Sequence, residues 1–161
     1  MTYETSLDRL AKGITIGVTV LFSIIIGGQL IPAFKIDPLG SGFLMLFLIV
    51  IYLCCVLFRP MSYQLTGDSL IIHRLFSDIV INRRDILKVR EVTRADMRLT
   101  IRTFGVGGLF GYFGKFSNST IGEMTLYATR RDKTVLIETL DKKLILTPDN
   151  PVEFIHQLKQ K

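Results

Sequence analysis

Two apolar runs near the start of the chain constrain what it can fold into. Residues 13–31 read GITIGVTVLFSIIIGGQLI and residues 39–58 read LGSGFLMLFLIVIYLCCVLF, and neither run holds an Asp, Glu, Lys or Arg. As helices, runs of this length extend ~28–30 Å, the thickness of a bilayer's hydrocarbon core. The segment between them, Pro32-Ala33-Phe34-Lys35-Ile36-Asp37-Pro38, is short, charged and closed by a proline at each end. Backbone in lipid must satisfy its own hydrogen bonds, so two helices joined by a tight turn is the low-cost arrangement. The sequence therefore predicts a transmembrane hairpin over residues 1–60, with spans at about 13–31 and 39–58. Residues 61–161 are left as a domain held at the membrane, large enough for one small core.

Charge orients this arrangement. Arg9 and Lys12 precede the first span and Arg59 follows the second, whereas Lys35 stands alone in the turn and is offset by Asp37. The positive-inside rule then predicts a multi-pass protein of the cytoplasmic membrane with both termini in the cytoplasm. The first 58 residues carry three basic side chains (Arg9, Lys12, Lys35) and three acidic ones (Glu4, Asp8, Asp37), so the net charge of +6 lies entirely in residues 59–161. A basic domain beside a membrane points to anionic lipid headgroups as a partner, with a solvated surface as the alternative. Gly13 and Gly17, then Ser23 and Gly27, repeat small residues at four-residue spacing. Such spacing lets helix backbones approach closely. Two uses stay open: packing within the hairpin, or association between hairpins as a homo-oligomer.

Beyond Pro60 the apolar pattern changes to alternation. Strands are expected at 61–65, 70–75, 78–82, 86–93, 99–103, 123–129, 134–139 and 142–147, separated by turns such as Thr66-Gly67-Asp68-Ser69. A helix closes the chain. Asn150 suits the N-cap, Pro151 the first helical position and Glu153 the capping box, while Phe154, Ile155 and Leu158 form an apolar face that must cover something. Residues 1–12 read as a polar lead-in with nothing specific.

Leu70-Ile71-Ile72-His73-Arg74 and Val80-Ile81-Asn82-Arg83-Arg84-Asp85-Ile86 resemble the bacterial pleckstrin-homology-like (PH-like) domains that follow transmembrane helices. So do Tyr127-Ala128-Thr129, Leu146-Thr147-Pro148-Asp149-Asn150-Pro151 and Phe154. The resemblance covers residues 61–159. It implies an α+β membrane protein: an N-terminal two-helix transmembrane hairpin, then a PH-like β-sandwich or barrel of about seven strands with a C-terminal helix. It implies a binding role more than an activity. Two features depart from phosphoinositide-binding PH domains: the first hairpin loop, 66–69, has no basic residue, and the chain has no tryptophan, leaving Phe154 to take its packing role.

Two stretches are candidates for binding. The first is Gly105-Val106-Gly107-Gly108-Leu109-Phe110-Gly111-Tyr112-Phe113-Gly114-Lys115-Phe116. A phosphate-binding P-loop would need glycine at 109 and Ser or Thr at 116, where leucine and phenylalanine stand. The stretch reads instead as a β-connection bent by glycines, or as an aromatic loop in which Phe110, Tyr112, Phe113 and Lys115 touch lipid or a partner. The second is basic: Arg90, Arg94, Arg98 and Arg102 recur every four residues. If strands 86–93 and 99–103 pair as a hairpin, Arg90, Arg98 and Arg102 share its polar face. Catalysis finds no support: His73 and His156 are the only histidines, both cysteines (Cys54, Cys55) lie in the second span, and no cofactor is called for. Nucleic acid is excluded by the absence of a reading-helix motif. The expected function is a non-enzymatic, membrane-anchored binding module at the inner leaflet, taking a protein partner or anionic lipid. The alternative is an accessory or assembly subunit of a membrane complex, with the hairpin as its interface.

Overall fold

The computed structural model describes residues 1–28 and 38–160. The turn expected at 32–38 and the end of the first apolar run thus lie outside the described residues, except Pro38, where the second helix begins. Helix α1 (Arg9–Gly28) and helix α2 (Pro38–Phe58) carry the apolar runs. Their most apolar windows have mean hydropathies of 2.0 and 2.7, and only 6% of each window is buried. A soluble fold would bury helices this apolar in its core; these two are exposed along their length, which fits a transmembrane hairpin. Between them the Thr19 hydroxyl meets the Tyr52 hydroxyl at 2.9 Å, and Phe22 packs on Tyr52 with ring centroids 6.1 Å apart. A Cβ added at Gly13, Gly17 or Gly27 would meet nothing within 4 Å. Among the described residues, these three glycines are therefore not close contacts between α1 and α2.

The remainder forms ten strands in two sheets and one helix. The first sheet has the order β1 (Thr2–Glu4), β2 (Pro60–Leu65), β3 (Ser69–Arg74), β4 (Ile79–Asn82). A 3-10 turn at Arg83–Asp85 leads into β5 (Ile86–Val92). Then come β6 (Ile101–Gly108), β7 (Gly111–Asn118), β8 (Gly122–Ala128), β9 (Thr134–Thr139), β10 (Lys143–Leu146) and helix α3 (Pro151–Lys159). The second sheet has the order β5-β9-β10-β8-β7-β6; its pairs are antiparallel except β8 with β10.

Strands β9 and β10 of this sheet are apolar on both faces, so both need cover. Val135 and Ile137 of β9, with Leu144 and Leu146 of β10, face the first sheet and α3, forming a core with Tyr3, Tyr63, Leu70, Ile72 and Phe154. Their alternates Leu136 and Ile145 face the opposite way and join Val92, Tyr112, Phe116, Met124, Leu126 and Ala128. Ala11 of α1, Ile121 from the turn between β7 and β8, and the partly buried Leu7 and Met97 pack with them.

Helix α3 begins as its sequence indicates. The Asn150 side chain accepts from the Glu153 N–H at 3.3 Å and donates to the Glu153 carboxylate at 2.8 Å. Phe154 is fully buried, edge-on to Tyr3 at 5.1 Å and 6.1 Å from Tyr63. At the other end, the Arg83 guanidinium donates to the carbonyls of Gln157, Leu158 and Gln160 and to those of Thr66 and Gly67. It satisfies the orphan carbonyls of a helix C-terminus and complements the dipole there.

Three sequence expectations need correction. The lead-in is not unspecific: Thr2–Glu4 pairs with β2 as an edge strand, and Tyr3 enters the core. Of the two readings of the glycine–aromatic stretch, the aromatic loop falls and the β-connection holds: β6 and β7 form a hairpin around Leu109 and Phe110. Strands 86–93 and 99–103 are not hairpin partners, because β5 and β6 occupy opposite edges of the six-stranded sheet. Five inter-strand spacings separate them, roughly 24 Å.

Candidate binding cleft on the outer sheet face

The outer face of the second sheet is where the charged residues gather. Residues paired across a ladder share a face, so Arg90, opposite Leu136, and Arg102, opposite Phe116, both stand on the outer face at its two edges. The connection from β5 to β6 crosses that face and carries Arg94, Met97 and Arg98. The Thr93 backbone N–H and hydroxyl both donate to the Asp96 carboxylate, at 3.1 and 3.0 Å. These bonds, with a smaller contribution from Arg90 at 3.6 Å, hold the Asp96 carboxyl below the usual carboxylate range. Asn118 ties the same connection to the sheet by donating to the Asp96 carbonyl and the Thr100 hydroxyl.

Between this connection and the first turn of α1 lies a cleft of about 880 Å³. Tyr112, Phe116, Leu126, Ala128 and Ile145 form its floor, and Arg9, Arg94, Arg98, Arg130 and Arg131 stand around it. Five arginines face two aspartates, Asp8 and Asp132, and both acids are engaged. Asp8 caps α1 by accepting from the Ala11 N–H at 2.7 Å, and it also accepts from the Arg131 N–H at 3.1 Å. Asp132 holds Arg130 in a two-pronged pair at 2.6 and 3.0 Å, which lowers the Asp132 pKa. Arg131 stacks its guanidinium 5.0 Å from the Tyr112 ring centroid. Burial, helped by the Asp8 charge, raises the Tyr112 pKa. Among the described residues, Arg9, Arg94 and Arg98 make no ion pair within 4.0 Å.

The aromatic residues singled out in the sequence are spent inside the molecule. The Phe110 N–H donates to the Thr15 hydroxyl at 2.9 Å, its ring lies edge-on to Tyr52 at 5.3 Å, and the Arg59 guanidinium sits 5.6 Å from its centroid. Phe110 adopts φ +56°, a left-handed conformation uncommon for a bulky residue and held here by those contacts. It rivets the sheet domain to the base of the helices. Tyr112 and Phe113 are buried, and Lys115 is exposed on the sheet face opposite the arginines. Gly105 and Gly114 lie across from one another at φ +119° and +122°, and a Cβ on either would collide with the backbone of the other strand. Their role is this close strand approach.

The structure thus frames one face with Arg90, Arg98 and Arg102, separates Lys115 from them, and turns Phe110 toward the helices. Sequence reasoning missed Arg9, Arg130 and Arg131 as cleft residues. The charged turn Arg130-Arg131-Asp132-Lys133 was visible, but only the fold brings it beside α1.

A two-sheet domain closed by a C-terminal helix, with an arginine-rimmed cleft and two apolar helices, has the architecture of a binding module. The family model described as the bacterial PH domain matches residues 61–161. The chain belongs to that family, and PH domains are generally non-catalytic binding modules. No curated protein and no solved structure matches the chain.

Proposed function

We propose that the chain is a non-enzymatic, membrane-anchored PH-like module of the cytoplasmic membrane. Residues 1–60 carry the two-span anchor, residues 61–161 the binding domain, and both termini are cytoplasmic. It engages the anionic headgroup layer through the outer face of the second sheet. One observation carries this reading: Arg9 and Leu10, the first residues of the exposed apolar helix α1, are also a wall of the arginine-rimmed cleft. The first apolar run starts at Gly13, four residues on, or about 6 Å along the helix. That matches the thickness of a headgroup layer, about half the difference between a ~30 Å core and a ~40–45 Å bilayer. Each arginine held at that depth adds on the order of 1 kcal/mol of attraction to an anionic surface.

The test uses the full chain in nanodiscs of phosphatidylcholine alone or mixed with phosphatidylglycerol. Backbone hydrogen exchange across residues 94–100 slows in the anionic discs at low salt, and the difference disappears at high salt. Replacing Arg90, Arg98 and Arg102 together with Gln reduces it. Equal exchange in both discs at low salt contradicts the reading and moves the accessory-subunit alternative ahead.

A further inference from the structure

We propose that the cleft is a stoichiometric site for one anionic phospholipid, drawn from the bilayer that holds α1. This deepens the function proposed above and rests on it. A surface that merely touches headgroups needs charge alone. This one has a cavity of about 880 Å³ with an apolar floor, a size and lining suited to a bound molecule. The apolar surface it offers comes from its walls: Leu10 and Leu99 are 47% and 84% exposed and Met97 is half-buried, above a floor of buried Tyr112, Phe116, Leu126 and Ile145.

The rim selects for an anion. Asp8 caps α1 and takes the Arg131 backbone N–H, while Asp132 pairs with Arg130 and also feels the charge of Arg94; two carboxylates against five arginines leave the rim net positive. Guanidinium forks match phosphate oxygens in pairs, so arginines rather than lysines suit a phosphodiester here. The ligand is thus specified as phosphate at the rim with hydrocarbon or glycerol carbons against Leu10, Met97 and Leu99. The position of Arg9 and Leu10 at the root of α1 puts the opening where lipids already carry that combination. A soluble sugar phosphate would leave Leu10 and Leu99 wet, and a zwitterionic lipid would bring its own cation to a rim of arginines.

The test is native mass spectrometry of the full chain released from detergent, titrated with phosphatidylglycerol, phosphatidylcholine, glycerol phosphate or inorganic phosphate. The expected result is one retained phosphatidylglycerol, with phosphatidylcholine at least tenfold weaker. Neither water-soluble phosphate displaces the bound lipid. Arg94→Gln with Arg98→Gln, both on the exposed connection, weakens retention at least tenfold. Arg84→Gln with Lys88→Gln removes the same charge from exposed positions outside the cleft and leaves retention unchanged. Equal retention of phosphatidylcholine, equal loss in the Arg84/Lys88 pair, or displacement by inorganic phosphate overturns the site. If the site fails while the salt-sensitive exchange difference in anionic nanodiscs persists, the general membrane-facing function survives; if both vanish, both are wrong.

Discussion

Phe154→Ala probes whether α3 and β1 share one core. The ring is fully buried and lies against Tyr3 from β1 and Tyr63 from β2. Truncating a buried phenylalanine costs about 3–5 kcal/mol, combining lost transfer energy with the cavity left behind. The two aromatic pairs favour the upper half of that range, since each contributes ~0.5–1.5 kcal/mol beyond area. A domain of this size shifts its midpoint by roughly 4–8 °C per kcal/mol, so a fall of at least ~12 °C follows. The assay is near-ultraviolet circular dichroism of the full chain in detergent during heating. The chain has no tryptophan and five tyrosines, four of which (Tyr3, Tyr63, Tyr112, Tyr127) belong to the sheet domain, so the signal reports that domain. Val152→Ala, at a side chain 70% exposed on the same helix, is the control. Tyr3→Ala combined with Phe154→Ala costs less than the sum of the two, because each mutation already breaks their shared contact. A Phe154→Ala midpoint no lower than that of Val152→Ala refutes the assignment of α3 to the core, and strict additivity refutes the place of β1 within it.

Two further outcomes follow from local geometry and charge. Gly105→Ala forces a Cβ into the Phe113 carbonyl at φ +119° and destabilises the β6–β7 hairpin, whereas Gly17→Ala, with nothing within 4 Å, leaves the thermal midpoint unchanged in the same melts. Lowering the pH removes the stabilisation from the Arg130 network. Hydrogen bonding to Arg130 depresses the Asp132 pKa, and at Asp149 bonds from Ser6 and Arg130 outweigh the opposing effect of burial. Carboxyls depressed in the folded state stabilise fully above their unfolded pKa of about 3.9 and lose that contribution as pH falls through the native value. Urea midpoints measured from neutral pH downward show this acid loss in the parent chain and a shallower one in Arg130→Met.

The sequence was legible where one physical signal dominated. Unbroken apolar runs marked α1 and α2, and Asn150-Pro151 with Glu153 marked the start of α3. Legibility failed where the signal was short or two-sided. Thr2–Glu4 is too brief to show alternation, and its strand identity depends on β2, nearly sixty residues away. In β7, glycines at 111 and 114 interrupt the alternation, so the sequence left a bent β-connection and an aromatic loop both open. The arginines were seen but placed on a hairpin of two consecutive strands, while the actual sheet inserts β9, β10, β8 and β7 between them. Arg83 adds to the basic composition, yet its donors are spent on the end of α3 and the 66–67 turn. Only the assembled fold brings residues 8–10 beside 94–100 and 130–132, so the cleft could not be read from local pattern.

The central claim is that the helices span the membrane and hold the sheet domain on the cytoplasmic side. Its most direct test is single-cysteine labelling of the full chain in intact cells, in a background where Cys54 and Cys55 are replaced by Ala. A cysteine at Ala33, between the two apolar runs, reacts with a membrane-impermeant maleimide from outside, and a cysteine at Gly67, in the exposed turn before β3, reacts only after lysis. Labelling of Gly67→Cys in intact cells with Ala33→Cys protected would contradict the account.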